Sequence, residues 1–395
     1  MTATRPVRTE EAEATEEAAV RADRPAPDTT RRLTRTQRIL VRAVVLTLLA
    51  GAATFVLDPY RNYQLAVVAA TFCATAGLSL LVGLTGQLSL GHAVLMAAGG
   101  YGYALTVNAA AGAGLDGDGG ASLVRVVLGL VGAVAVSGAV GGLLGLAGAR
   151  LRGPYLAGLT LAMVVALPAL TAQVPVLGGD QGLAVPFEGV PEVLSRLIVV
   201  EQWHAWLAIV VAAVAVTPLA VLRSGRAGLR MRAVHGDETA ARLSGVSPGR
   251  VKVGAFVASS LAAGLGGAVL CLVTQSVGPG RYDLAFSLLL VVAAVVGGLG
   301  SLGGAAAGAA LVVLLPWLVD AVTAAVGVPA DLEQRLSGNL AVLVFGALLI
   351  VVTLAWPGGL ARAAARRRQA IRLRPHPRPR GRTDASATLP EPTER

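Results

Sequence analysis

Ten apolar stretches, each about the length of a bilayer crossing, follow one another between residues 41 and 356. A hydrocarbon core of about 30 Å takes roughly 20 mostly apolar residues in a helix. The runs fall at 41–57, 63–83, 91–109, 123–148, 153–174, 203–222, 252–273, 284–299, 302–320 and 337–356. The eighth and ninth are separated only by the glycine-rich stretch 297–304, so they form either two spans or one re-entrant pair. Composition agrees: 54% of residues are hydrophobic and only 14% charged, where a soluble domain carries roughly 25%. That excludes an ordinary soluble enzyme and a disordered chain. The only cysteines, Cys73 and Cys271, each lie inside an apolar run, which excludes a disulfide scaffold. The expected fold class is an all-α polytopic membrane protein of about ten transmembrane helices.

Charge sets the expected topology. Residues 1–40 are polar, with Glu10, Glu11, Glu13, Glu16 and Glu17 ahead of Arg31, Arg32, Arg35 and Arg38; they read as a disordered cytoplasmic tail. Arg31-Arg32 also fits a twin-arginine export signal, but the apolar run behind it is only the first of many. With that tail inside, alternate loops collect Arg150 and Arg152, then Arg223, Arg226, Arg230, Arg232, Arg242, Arg250 and Lys252. The opposite loops collect Asp58, Asp116, Asp118, Asp180, Glu188, Glu192, Glu201, Asp320, Asp331 and Glu333, with Arg61, Arg196, Arg281 and Arg335 as exceptions. The positive-inside rule then gives a multi-pass cell-membrane protein with both termini cytoplasmic and a transmembrane body at 41–356. The tail 357–395 is rich in arginine and proline. Its nine arginines between 362 and 382 suit either a disordered topology anchor or an anionic contact; without aromatic residues among them, nucleic acid is not an expected partner.

Glycine pairs recur inside the spans (Gly99-Gly100, Gly141-Gly142, Gly266-Gly267, Gly297-Gly298, Gly303-Gly304), and close helix packing explains most of them. Two stretches go further. Residues 83–92, GLTGQLSLGH, place Gly86, Gln87, Ser89, Gly91 and His92 where the chain re-enters the membrane. Irregular polar backbone at that depth must be buried in protein or line a cavity. Residues 297–304, GGLGSLGG, hold Gly298, Gly300 and Ser301; the shared Gly-x-Leu core suggests related elements around one pathway. The loop 223–252 contains seven basic residues and the acids Asp237 and Glu238. Those acids suit a helix start, and Gly245 followed by Pro248 suits its stop. A short surface helix there is either a plain connector or a lever for a cytoplasmic partner.

Absences narrow the function. Lys252 is the only lysine and stands between valines, so the chain lacks the Gly-x4-Gly-Lys-Ser/Thr loop that cradles nucleotide phosphates. His92 is read as the only histidine at membrane depth, with no Cys or His close enough in sequence to share a metal. Arg42 and Arg125 lie near span ends and are expected to snorkel. Intramembrane acids that would relay protons are missing, and no catalytic constellation occurs. The chain is therefore expected to be neither an enzyme nor a proton-driven carrier.

The stretch GLTGQLSLGHAVLMAAGGYGYAL (83–105) resembles the signature of the LivM-type branched-chain amino acid permeases of ABC importers. GRAGLRMRAVHGDETAARLSGVSPGRVKVGAFVASSLAAGLGGAV (225–269) is similar to their coupling region, with Glu238, Ala240, Ala241 and Gly245 matching its EAA-like loop. VVGGLGSLGGAAAGAALVVLLP (295–316) is similar to their late glycine motif, and LRGPYLAGLTLA (151–162) with GGDQGL (178–183) to a cytoplasmic entry and an external loop. The resemblance covers about 40–357 and leaves both tails out. It implies a type II importer-like bundle and a permease subunit for leucine, isoleucine and valine. It further implies a second permease as partner, commonly in a heterodimer, two ATPase subunits holding the ATP and magnesium, and an extracytoplasmic solute-binding protein. The chain itself would bind no cofactor and no metal, and lipid would surround it. Coupling falls to Glu238, Ala240, Ala241 and Gly245, and the pathway or gate to Gly86, Gln87, Ser89, Gly91, His92, Gly298, Gly300 and Ser301. A permease for urea, short amides or another small solute is the alternative; a channel or secondary carrier is a more distant one.

Overall fold

The structure, a computed structural model, describes residues 34–115, 122–151, 154–326, 346 and 358–361. Its helices are α1 (Arg35–Ala53), α2 (Pro59–Thr85), α3 (His92–Gly112), α4 (Leu123–Arg150), α5 (Pro154–Gln173), α6 (Val200–Ser224), α7 (Arg226–Gly236), α8 (Glu238–Leu243), α9 (Pro248–Thr274), α10 (Leu284–Gly297) and α11 (Leu302–Val326). A two-residue antiparallel ladder pairs β1 (Leu183–Ala184) with the sequence-distant β2 (Ser276–Val277), Leu183 opposite Val277. Among the described residues, seven helical segments are long and apolar enough to cross a membrane. The molecule is an all-α polytopic membrane protein.

Nine of the ten expected spans fall on helices; nearly all of the tenth, 337–356, lies outside the described residues, as do most of both tails. Residues 35–40 of the expected tail are helical, because α1 already begins at Arg35; residues 1–33 lie outside the described residues. Thr34 starts it with a reciprocal cap: its hydroxyl accepts from the Gln37 N–H, and the Gln37 side chain accepts from the Thr34 N–H. Two orphan helix-end donors are satisfied at once, which fixes the start.

The helix ends collect into two rims. Arg35 Nη1 donates to the Ser224 carbonyl, joining the start of α1 to the end of α6. At the other ends of those helices, Trp206 Nε1 donates to Thr54 Oγ1 at 2.8 Å. The first rim carries Arg150 and the 223–252 connector; the second carries Asp58, Glu188 and the β1–β2 ladder. Arg61, an exception to the charge pattern, is held at the acidic rim by Asp58 at 3.5 Å and lies 5.8 Å over the Trp317 ring.

At the centre α2 and α9 cross, and they are the most deeply buried of the candidate spans. Each has 27 residues, begins with proline and ends in a left-handed C-cap, Gly86 (φ 70°) and Gln275 (φ 56°). They run in opposite directions. Counted from their first residues, Gly77 is equivalent to Gly266 and Ala70 to Ser259. A Cβ on Gly77 would stand 2.7 Å from the Ser259 carbonyl, and one on Gly266 would strike the Ala70 carbonyl. The crossing is thus symmetric. Its neighbours follow suit: α4 packs on α3 and α9, while α11 packs on α10 and α2. The units α2–α4 and α9–α11 therefore form an inverted repeat, the arrangement common in transport proteins.

The helices α10 and α11 form an antiparallel hairpin in which Gly297 meets Gly304 and Gly308 meets Ala293 backbone to backbone. At 1.5 Å per residue, the 14 residues of α10 reach about 21 Å. The hairpin turn packs on Ser79 and Gly83, so it stops within two turns of the end of α2 at Thr85. Close packing also explains Gly99 against Gly264, Gly141 against Ser260 and Gly267 against Met96, whereas Gly142 and Gly303 face open space.

Candidate functional site

The connector expected to act as a lever folds from its own caps. Asp237 opens α8, its Oδ1 accepting from the N–H groups of Thr239 (2.6 Å) and Ala240 (3.1 Å). The close of α8 is a Schellman motif: Gly245 N–H donates to the Arg242 carbonyl at 3.0 Å and Val246 N–H to the Ala241 carbonyl at 2.9 Å. Gly245 sits at φ 76°, where any Cβ costs about 1–2 kcal/mol. Asp237 and Gly245 do as their sequence positions suggest. Glu238 binds Arg242 at 3.7 Å and also pairs with Nζ of Lys252 in the first turns of α9. Lys252 is almost wholly buried, so the pair pins α8 to a central helix of the bundle. Of the four expected coupling residues, Ala241 is buried, Ala240 and Gly245 are exposed, and Glu238 lies between. Leu243, absent from that set, is 87% exposed at the tip of α8.

The polar segment 86–91 leaves α2 and enters the bundle without helical structure. The end of α2 is turned by Gly86, whose N–H donates to the Val82 carbonyl at 3.0 Å. Gln87 lies beside Gly148, at the arginine-rich end of α4. Four residues further, Gly91 packs against the Thr160 backbone, and Leu90 N–H donates to Thr160 Oγ1 at 3.0 Å. His92 then opens α3 deep inside, with Nε2 at 3.4 Å from Ser259 Oγ. Gln87, Ser89 and His92 are all buried, and Gln87 Nε2, Ser89 Oγ and His92 Nδ1 have no hydrogen-bond partner among the described residues. Such atoms are costly in a low-dielectric interior. The expectation of buried irregular backbone is met.

The lever and this segment touch. The imidazole of His235, on the last turn of α7, lies so close to Gly86 that a Cβ there would stand 2.9 Å from Nδ1. Gly86 is needed twice, for its left-handed φ and for that contact. Sequence spacing gave no hint of the contact, since 149 residues of chain separate the partners.

The second glycine stretch is placed differently from the first. Gly300 N–H donates to both the carbonyl and the hydroxyl of Ser79, each at 3.0 Å. Gly298 (φ 106°) packs on 358–361, and the Ser301 hydroxyl accepts from the Gly304 N–H. These residues lie beside the C-terminal half of α2, toward the arginine-rich rim as expected, but they are not the counterpart of 86–91. Within the inverted repeat that counterpart is 275–283, at the acidic rim. The shared Gly-x-Leu core reflects a common need for tight turns, not equivalent positions.

Two readings of charged and polar residues need correction. Arg125 does not snorkel: it is buried, and its Nε donates to Glu188 Oε1 at 2.5 Å. Glu188 Oε2 also accepts from Ser122 N–H at 3.2 Å, fastening the 185–190 loop to the start of α4. His92 is not the only buried histidine. His204, in the first turns of α6, lies 2.9 Å from the Glu188 carbonyl and edge-on to Phe187. Among the described residues no group of three or more His, Cys, Asp or Glu could hold a metal ion.

Comparison with known proteins agrees with this architecture. Residues 62–353 match the family model of the branched-chain amino acid transport system permease component. The high-affinity branched-chain amino acid transport system permease protein LivM of Salmonella typhimurium strain LT2 is 31% identical over 250 residues, covering 57% of this chain and 55% of its own. The LivM protein of Escherichia coli K12 is 30% identical over the same length and coverage. The chain thus spans about half the length of the curated relatives it matches. No solved structure matches it. With most of its length inside one family model and the membrane bundle to fit, the chain belongs to the permease-component family of branched-chain amino acid transport systems.

Proposed function

We propose that this chain is the membrane-spanning subunit of an ATP-driven importer of branched-chain amino acids, working with separate ATPase subunits, a second permease and an extracytoplasmic solute-binding protein. The arginine-rich rim then faces the cytoplasm. The observation that carries the reading is the continuous path α6–α7–α8–α9. A capped helix projects Leu243 outward, is pinned to α9 through Glu238 and Lys252, and sits beside His235, which touches Gly86. Closure of the ATPases on α8 would move a rigid element joined to both the central crossing and the entry segment. Gln87, Ser89 and His92 supply unsatisfied polar groups that find partners when the segment shifts, as a two-state gate requires. Gly300 braces the α10–α11 hairpin against Ser79 and Gly83 of α2, while Gly298 packs on 358–361 and Ser301 caps the start of α11.

The test is uptake into proteoliposomes reconstituted with the flanking ATPases, second permease and binding protein. ATP-dependent uptake of leucine, isoleucine or valine, abolished by a hydrolysis-dead ATPase, supports the proposal. Uptake of urea or short amides in their place moves the solute but keeps the machine. Uptake that survives ATPase loss refutes the ATP-driven reading.

A further inference from the structure

The helix α1 stands apart from the rest of the bundle. None of its residues is buried, and its principal neighbour is α6. The two helices are fastened near their ends, by Arg35 on Ser224 at one rim and by Trp206 on Thr54 at the other. Between those ties they diverge. Two cavities of about 400 and 450 Å³ lie between them and share Thr47, Leu48 and Val210. Together they make one groove from Leu40 to Phe55, about 22 Å long at the helical rise. Its walls are almost entirely aliphatic, and the Thr47 hydroxyl is spent on the Ala43 carbonyl at 2.9 Å. Phe55 and Trp206, with ring centroids 5.7 Å apart, close the far end.

The mouth has the opposite chemistry. Arg35, Arg38 and Arg42 lie at helical spacings of three and four on α1, all exposed, and Arg223 and Arg226 stand at the end of α6 and the start of α7. An apolar slot that opens on clustered arginines at the membrane surface is complementary to one molecule of the bilayer. We propose that the α1–α6 groove is a binding site for an anionic phospholipid, one acyl chain lying along Leu48 and Val210 toward Trp206 and the headgroup phosphate resting on Arg35, Arg38 and Arg42. Guanidinium groups reach the phosphate by snorkelling along their methylene stems. Basic pockets between spanning helices hold anionic headgroups by this combination of charge and apolar contact. The reading needs neither the importer assignment nor the identity of the solute.

Trp206 is a built-in probe. The full chain is reconstituted in phosphatidylcholine vesicles containing increasing phosphatidylglycerol with brominated acyl chains, and its tryptophan emission is read against W206F as blank. Saturable quenching of Trp206 at a few mole per cent of brominated phosphatidylglycerol, and only shallow quenching by brominated phosphatidylcholine, is expected. The triple variant R35Q/R38Q/R42Q should raise the half-saturating fraction at least tenfold. Gly51→Leu should abolish the saturable component with the arginines intact; a Cβ at Gly51 meets nothing within 4 Å, so the bulk enters the groove without disturbing the fold. Equal quenching by the two lipids overturns the proposal. So does an unchanged Gly51→Leu variant, which also decides the matter if the triple variant fails to insert. Disulfide formation between two copies carrying Ala52→Cys would show that a second chain, and not lipid, fills the groove.

Discussion

The crossing of α2 and α9 makes a quantitative prediction. Gly77→Ala places a methyl 2.7 Å from the Ser259 carbonyl and 3.1 Å from its hydroxyl. Ordinary contact needs roughly 3.5 Å, so the helices must part locally by about 0.8 Å. A gap of that size forfeits about a quarter to a half of each dispersion well along the contact. Overpacking of this kind costs about 1–3 kcal/mol, against a helix-propensity gain of up to about 1 kcal/mol from replacing glycine. The net expectation is a loss of about 1–2 kcal/mol. Gly266→Ala should cost a similar amount, since its Cβ strikes the equivalent Ala70 carbonyl across the symmetric crossing. Gly254→Ala on α9 is the control, with nothing within 4 Å of the added methyl; it should be neutral or slightly stabilising. The two contacts lie about 10 Å apart along each helix but are relieved by the same parting of α2 and α9, so the double variant should cost less than the sum of the two. Reversible unfolding in mixed micelles, titrated with sodium dodecyl sulfate, measures all four. If Gly77→Ala behaves like Gly254→Ala, the crossing is not the rigid centre argued here. If only one of Gly77→Ala and Gly266→Ala destabilises, the two halves are not equivalent.

Other outcomes follow from the same geometry. Gly245→Val should strain only the Schellman turn, because no atom lies within 4 Å of its Cβ; insertion stays intact while uptake per ATP hydrolysed falls, and normal coupling would count against the lever. Arg125→Gln takes the guanidinium away from the buried Glu188 carboxylate and should cost about 3–5 kcal/mol, seen as a lower unfolding midpoint; an unchanged midpoint would mean that the pair is solvated. Lys252→Met frees Glu238 from α9, so amide exchange across α8 should quicken at least several-fold, whereas unchanged exchange would show that the pair does not pin it. Gly86→Ala should impair uptake, and adding His235→Ala should recover only part of the loss, because the left-handed φ still costs about 1–2 kcal/mol; full recovery would reduce the site to a simple clash.

The spans were legible because each apolar run records its own burial. So was the α8 element, since Asp237, Gly245 and Pro248 encode start and stop within a dozen residues. What escaped the sequence lies between distant residues. Arg125 stands near a span end and invites a snorkelling reading; only the fold brings Glu188 to it. The inverted repeat is hidden because Gln275 occupies the left-handed cap where its counterpart α2 uses Gly86. The spacing of proline, glycine and threonine in two runs of equal length was the available signal. His235 against Gly86 left no trace in either motif.

Lys252 has one more consequence. It is the only lysine in the chain, its side chain is 8% exposed, and its amine is held by the Glu238 carboxylate. Apart from the chain's own α-amino group, the protein therefore offers a single primary amine to acylating reagents, masked while α8 is seated. An amine-reactive dye or a mass tag read at that one position becomes a clock for the unseating of α8. Its labelling rate with and without a bound partner would time the lever in the unmodified protein, without a single engineered residue.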